Sequence, residues 1–204
     1  MLGYSCVLFD LDDTLVRSAR LPRRSVARDG GRHCAGSGEP VTPATHPADV
    51  VRLPSPELCL PAAAAHLLDP AMPGVLAALA EQGVKLGVVT SAPRCAAIPA
   101  LRATHLHLVL SGCVVTAESC RRRKPHPDPL RRALAILEAA PEQALYVGDA
   151  PEDAVAAQAC GIRFALAGWS RVGAGRRRLP HDWLLERVSD LQALAASSGQ
   201  LVDS

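Results

Sequence analysis

The sequence predicts an α/β fold, a doubly wound parallel sheet of about five strands flanked by helices. Short apolar runs of strand length recur at Cys6–Phe9, Val84–Thr90, Leu106–Ser111, Ala144–Asp149 and Ile162–Ala167, and segments with helical spacing lie between several of them. Asp10, Thr90 and Asp149 stand at the ends of the first, second and fourth runs. Ligand sites in open parallel sheets lie beyond the carboxyl ends of the strands, so polar groups at those ends are more than a core requires.

The first run, Cys6-Val7-Leu8-Phe9, stops abruptly at Asp10, as a buried strand closed by a polar cluster does. Val75, Leu76 and Leu79 mark the first helical face, introduced by Pro73 and stopped by Gly83. Leu130, Leu134 and Leu137 share one helical face before the fourth run. A further helix is expected from about Pro151 to Cys160, stopped by Gly161. The last begins near Ser189, with Gln192 three residues on, as in a capping box.

The segment 20–61 breaks this rhythm. It holds seven of the 17 prolines, together with Gly30-Gly31 and Gly36-Ser37-Gly38, and no period survives in it for more than a few residues. It reads as a loop or poorly ordered insertion, with a short helix over Ala62 to Leu68 leading back to the main domain. The expected division is a core of residues 1–17 and 69–204 with an irregular insertion at 18–68.

At 204 residues the chain suits one domain with a modest insertion. Hydrophobic residues make up 49%, enough for a buried core, but aromatics are only 3%, so that core must be built from Ala, Val and Leu. A net charge of +2 demands neither nucleic acid nor an acidic membrane as partner. No apolar run reaches the ~18 residues that would span a bilayer, and the first residues lack the form of a secretion signal, so a cytoplasmic protein is expected. The seven cysteines are odd in number and form no Cys-x-x-Cys pair, which points to reduced thiols and away from a zinc site.

Four stretches carry chemistry. Asp10 and Asp12, one residue apart on a turning backbone, can reach a common point, one as nucleophile and the other exchanging a proton with the leaving group. Thr90 and Ser91 place hydroxyls and amides at a strand end, able to hold phosphoryl oxygens. Lys124, fixed by Pro125 ahead of a helix, can neutralise a phosphate; Arg121, Arg122 and Arg123 before it face solvent or attract an anionic substrate. Gly148-Asp149 with Asp153 one helical turn on adds carboxylates to those of the first strand. Clustered carboxylates repel, and an all-oxygen site suits a divalent cation, magnesium ahead of zinc.

In the order Asp-x-Asp, Thr, Lys-Pro-x-Pro, Gly-Asp-x-x-x-Asp, the sequence resembles the haloacid dehalogenase superfamily, specifically its phosphoglycolate-phosphatase-like phosphatases. The resemblance covers residues 4–18 and about 70–195 and implies a Rossmann-like core with a cap inserted after the first strand. It further implies that Asp10 is the nucleophile and Asp12 the general acid and base. Mg2+ would be held by Asp10, the Asp12 carbonyl and Asp149 with Asp153 in support, and phosphoryl oxygens by Thr90, Ser91 and Lys124. The expected substrate is a small phosphorylated metabolite, and the expected state a monomer or weak homodimer.

The departure lies at 18–68, where a helical cap is expected. Interior Pro costs a helix ~3 kcal/mol and Gly ~1 relative to Ala, so the insertion reads as an atypical or reduced lid. The same residues bear on the rival functions. Dehalogenation needs neither Asp12 nor Asp149. A receiver domain orders its acids and Lys differently. A phosphomutase of the same superfamily, or a catalytically weak binding protein on this fold, stands as the alternative.

Overall fold

A computed structural model describes residues 3–17, 68–170 and 179–197. The expected insertion, save Leu68 at its end, and nearly all of the helix expected over Ala62 to Leu68 lie outside the described residues. Leu68 itself is buried against the core.

The elements run β1 (Cys6–Phe9), α1 (Met72–Glu81), β2 (Lys85–Val89), α2 (Arg94–Ala103), a 3-10 turn (Leu106–Leu108), β3 (Cys113–Val115), α3 (Asp128–Leu137), a second 3-10 turn (Pro141–Gln143), β4 (Ala144–Gly148), α4 (Pro151–Cys160), β5 (Arg163–Ala167), β6 (Trp183–Leu185) and α5 (Asp190–Ser197). The six strands form one sheet in the order β3-β2-β1-β4-β5-β6, with every pairing parallel. This is the doubly wound Rossmann-like architecture that the sequence predicts, with one strand more than expected.

Alternation along the strands sorts the core into two layers. Val7, Phe9, Leu86, Val88, Leu145 and Val147 face Leu76 and Leu79 of α1, Leu101 of α2 and Leu191 of α5. Cys6, Leu8, Val89, Val115, Tyr146 and Phe164 face Leu130, Leu134 and Leu137 of α3 and the alanines of α4. Because β1 lies between β2 and β4, the three strand ends that carry Asp10, Thr90 and Asp149 are neighbours.

The expectation of a strand over Leu106–Ser111 is corrected. Leu106–Leu108 is a 3-10 turn entered through His105 in the left-handed region (φ 54°), and its apolar content serves to bury Leu106 and Leu110 against the core. The third strand is instead Cys113–Val115, three residues that no run length distinguishes. Two further elements escaped the sequence reading. Helix α2 contains Pro99, a breaker by propensity. Pro99 and Cys95 are both exposed, so the carbonyl left without its N–H partner can meet water. Strand β6 is also three residues long, paired along β5 and entered by the Asp182 amide donating to the Phe164 carbonyl at 2.9 Å.

Gly87 marks a tight point of the α3 layer. A Cβ there would lie 2.9 Å from Leu8 Cδ2 and 3.1 Å from both Cys113 Sγ and Leu137 Cδ1. Three elements would have to yield together. Gly87→Ala is therefore expected to destabilise the fold by about 1–3 kcal/mol in urea unfolding, as overpacked cores do.

Candidate active site

The pairing of β1 with β4 continues one residue beyond the strand, because the Asp10 amide donates to the Val147 carbonyl at 2.9 Å. Asp10 thus keeps the parity of Cys6 and Leu8 and lies on the α3 side, where Lys124 arrives from the segment before that helix. The Lys124–Pro125 peptide is cis.

The Lys124 ammonium lies 2.5 Å from Asp10 Oδ1, 2.7 Å from Asp153 Oδ1, 2.9 Å from Tyr146 Oη and 3.1 Å from the Val89 carbonyl. Its side chain is 3% exposed, and those of Asp10 and Asp153 are 10% and 1%. Water can do little for these charges, so they must satisfy one another. An ammonium has three N–H donors for these four oxygens, and Tyr146 shares the task by donating its own hydroxyl toward Asp153 Oδ1 (3.0 Å) or the Val89 carbonyl (3.2 Å).

Asp153 anchors the group. Its Oδ1 accepts from Lys124 and Tyr146, while its Oδ2 accepts the amides of Asp149 (3.2 Å) and Ala150 (3.1 Å) at the start of α4. Gly148 makes that reach possible, since a Cβ there would fall 2.6 Å from Asp153 Oδ2. Asp149, also buried, accepts a hydrogen bond at 2.8 Å from the Ser170 hydroxyl, which follows β5.

The electrostatics follow from burial. Burial pushes the Asp10 carboxyl up to about 7; Lys124 opposes the rise, whereas Asp153 and Asp149 add to it. Burial would lower the Lys124 ammonium, but the carboxylates of Asp10 and Asp153 outweigh it and hold the pKa above the ordinary lysine value. Burial likewise raises the Tyr146 phenol well above its usual value, with Asp153 and Asp10 reinforcing it, so the hydroxyl keeps its proton.

Asp10, Asp149 and Asp153 each offer a carboxylate oxygen within 4.8 Å of the others. An all-oxygen anionic set of this kind fits a hard divalent cation. The remaining residues singled out by the sequence flank the cluster. Asp12 is exposed, on the tight loop after β1, where its backbone bridges to Val16. Thr90 is buried at the end of β2 and its hydroxyl accepts the Ala92 amide at 3.0 Å; Ser91 beside it is exposed.

Three participants were missed. Tyr146 reads as one more core residue of an apolar strand. Ser170 lies outside every motif. Glu118 accepts the Arg94 amide with both oxygens, at 2.9 and 3.2 Å, and a hydrogen bond from Thr116 Oγ1 at 2.9 Å. With the Ala117 amide donating to the Ala92 carbonyl at 3.0 Å, it ties the loop of Thr90 to the loop after β3. Only the spacing of a polar residue after a strand hints at such a role.

A family model described as haloacid dehalogenase-like hydrolase matches residues 68–167. The pyrophosphatase PpaX of Anoxybacillus flavithermus is 38% identical over 119 residues, covering 57% of this chain and 54% of that protein. PpaX of Bacillus anthracis is 38% identical over 114 residues, covering 55% and 52%. The chain thus spans about half the length of the curated relatives it matches. Among solved structures, CbbY from Rhodobacter sphaeroides, in complex with phosphate, aligns with a TM-score of 0.65 at 22% identity over 96% of this chain and 100% of that one. A HAD phosphatase from Thermococcus onnurineus aligns with a TM-score of 0.57 at 25% identity, over 63% and 58%. Motif order, sheet order and sequence similarity agree on one resemblance: over residues 68–167 the chain matches the haloacid dehalogenase-like hydrolases.

Proposed function

We propose that the chain is a magnesium-dependent phosphatase that works through an aspartyl-phosphate intermediate on a small phosphorylated substrate. The observation that supports this most strongly is the Lys124 ammonium held between Asp10 and Asp153 with Asp149 alongside, a mixed-charge cluster at adjoining strand ends. Phosphoryl transfer depends chiefly on positioning and on neutralising charge, and a buried lysine beside a nucleophilic carboxylate does both.

In this reading an Asp10 carboxylate oxygen attacks phosphorus and the bond to the leaving oxygen breaks. Asp12 gives its proton to that oxygen, and its exposed position suits exchange with the incoming substrate. Asp12 then takes a proton from water as the water oxygen attacks phosphorus. The bond to Asp10 breaks, and phosphate leaves. Lys124 stabilises charge on the phosphoryl oxygens, while the Thr90 loop and Ser91 offer further donors. Mg2+, when bound by Asp10, Asp149 and the Asp12 carbonyl, supplies Lewis-acid neutralisation of the phosphoryl group. Asp153, already accepting four hydrogen bonds, acts mainly by fixing Lys124 and the Asp149 backbone.

A second substrate reading, inorganic pyrophosphate, is favoured by the two PpaX proteins at 38% identity. The exposed Arg121, Arg122 and Arg123 beside Lys124 suit a polyanion equally well. One panel of pyrophosphate, phosphoglycolate, sugar phosphates and p-nitrophenyl phosphate, with Mg2+ present, separates these readings. Among the described residues no helix is long and apolar enough to cross a membrane.

Phosphate release should fall by at least about a thousandfold in Asp10→Asn, because a carboxamide is no nucleophile toward phosphorus. Unchanged turnover in that variant would end the proposal.

Protons compete with the cation at Asp10. With that carboxyl near 7, apparent Mg2+ affinity should drop about tenfold per pH unit below neutrality and level off above it, as titration calorimetry would record.

The metal-free protein carries the matching stability signature. A carboxyl raised in the folded state contributes stability that is complete below the unfolded value near 4. That contribution is lost as pH climbs through about 7. Removing the ammonium raises Asp10 further, so Lys124→Met should lose about 3–5 kcal/mol at pH 8 and recover part of it at pH 5, where Asp10 takes up a proton. Denaturant melts at the two pH values test this.

A further inference from the structure

Beyond the strand-end motifs, one short segment touches both the loop that carries Asp12 and the acidic cluster. After β5, the Gly168 amide donates to the Leu185 carbonyl at 2.7 Å, so the chain leaves the sheet while still fastened to β6. Two residues then turn in different directions. The Trp169 indole N–H donates at 2.9 Å to the Thr14 carbonyl, on the loop that carries Asp12. The Ser170 hydroxyl donates at 2.8 Å to Asp149 Oδ2. The partners belong to loops leaving β1 and β4, separated by 155 and 21 residues from the side chains that reach them.

We propose that Trp169 and Ser170 form a brace, positioning residues that hold the Asp12 loop and the Asp149 carboxylate in the arrangement needed for cation binding and proton transfer. The inference rests on the reading of Asp149 as a cation ligand. Two physical arguments carry it. A ligating carboxylate can rotate about two side-chain bonds, and a hydrogen bond to one oxygen selects the rotamer that presents the other. Asp149 lies in a buried cluster with more negative than positive charge, so a donor to it is also charge-assisted. The loop after β1 bends sharply, with Asp13 at φ 62° and its amide donating back to the Val16 carbonyl at 2.7 Å. The Trp169 ring is partly buried against the core layer that faces α1, so its N–H is a fixed donor on a rigid support. A small drift of the Asp12 loop would move a proton-transfer group out of reach, and displacements of about 1 Å can cost a hundredfold.

The two arms are separable by experiment on the full chain. Calorimetric titration with Mg2+ at pH 8 should show Ser170→Ala binding about 10–100-fold more weakly. Ser170→Thr keeps the hydroxyl and should restore affinity. Trp169→Phe keeps the ring and loses only the donor; it should bind Mg2+ like the parent but turn over p-nitrophenyl phosphate about 10–100-fold more slowly at saturating metal. Parent-like Mg2+ affinity in Ser170→Ala, or a loss that Ser170→Thr leaves unrepaired, overturns the Asp149 arm. Parent-like turnover in Trp169→Phe overturns the Asp12 arm. Asp149→Asn distinguishes the levels: if it loses Mg2+ binding while Ser170→Ala does not, the brace alone fails, and if it binds normally, cation reading and brace fall together.

Discussion

A buried ammonium between two buried carboxylates governs this structure. Removing Lys124, Asp10 and Asp153 from water costs several kcal/mol per ion, and contacts of 2.5 and 2.7 Å offset that cost, with Asp153 held further by two backbone amides. The same ammonium reaches the Val89 carbonyl of β2 and the Tyr146 hydroxyl of β4, so one side chain gathers the ends of β1, β2 and β4 with the first turn of α4. A core built for stability alone would use apolar groups there. The surroundings keep Asp10 near neutrality in pKa rather than far below it, so one ammonium does not fully compensate the acids.

Topology explains how residues 114 apart in sequence meet within hydrogen-bond reach. Parallel pairing puts every strand's carboxyl end on one edge, and the order β2-β1-β4 makes the three polar ends consecutive. Helix α4 starts at once after β4, and the missing side chain at Gly148 lets Asp153 fold back over the turn. The two amides that Asp153 accepts lie at the positive end of that helix, where a carboxylate is favoured on independent grounds.

Much of this was legible in the residues, and the failures have physical causes. The strands at the centre of the sheet announce themselves, because burial on both faces demands continuous apolar runs such as Cys6–Phe9 and Ala144–Gly148. Edge strands are under weaker demand: β3 and β6 need three residues each, too few for a pattern, and the nearby apolar run at Leu106–Ser111 was read in place of β3. Helix α2 hides behind Pro99, whose cost is met by exposure. At the site, Asp10 and Asp149 stood out because charge rarely follows an apolar strand without reason, Lys124 because Pro125 fixes the chain beside it, and Asp153 because it lies one helical turn after Asp149; the four lie together in the structure. Tyr146, Trp169 and Ser170 did not stand out, since each acts through hydrogen bonds to partners that no sequence spacing marks.

The charge count of the cluster bears on order of events in the proposed reaction. Three buried carboxylates face one ammonium, so the pocket carries a net charge near minus two when all are ionised. A phosphoryl dianion approaching such a site meets repulsion that a low-dielectric surrounding strengthens. The pocket can lower this in two ways. It can hold a proton, which the raised Asp10 carboxyl does below about pH 7, but a protonated Asp10 is no nucleophile. Or it can hold a divalent cation, which brings the count to neutrality and leaves Asp10 ionised. Only the second route makes the site both attractive to phosphate and reactive toward it, so the proposed reaction needs a cation in place no later than the substrate.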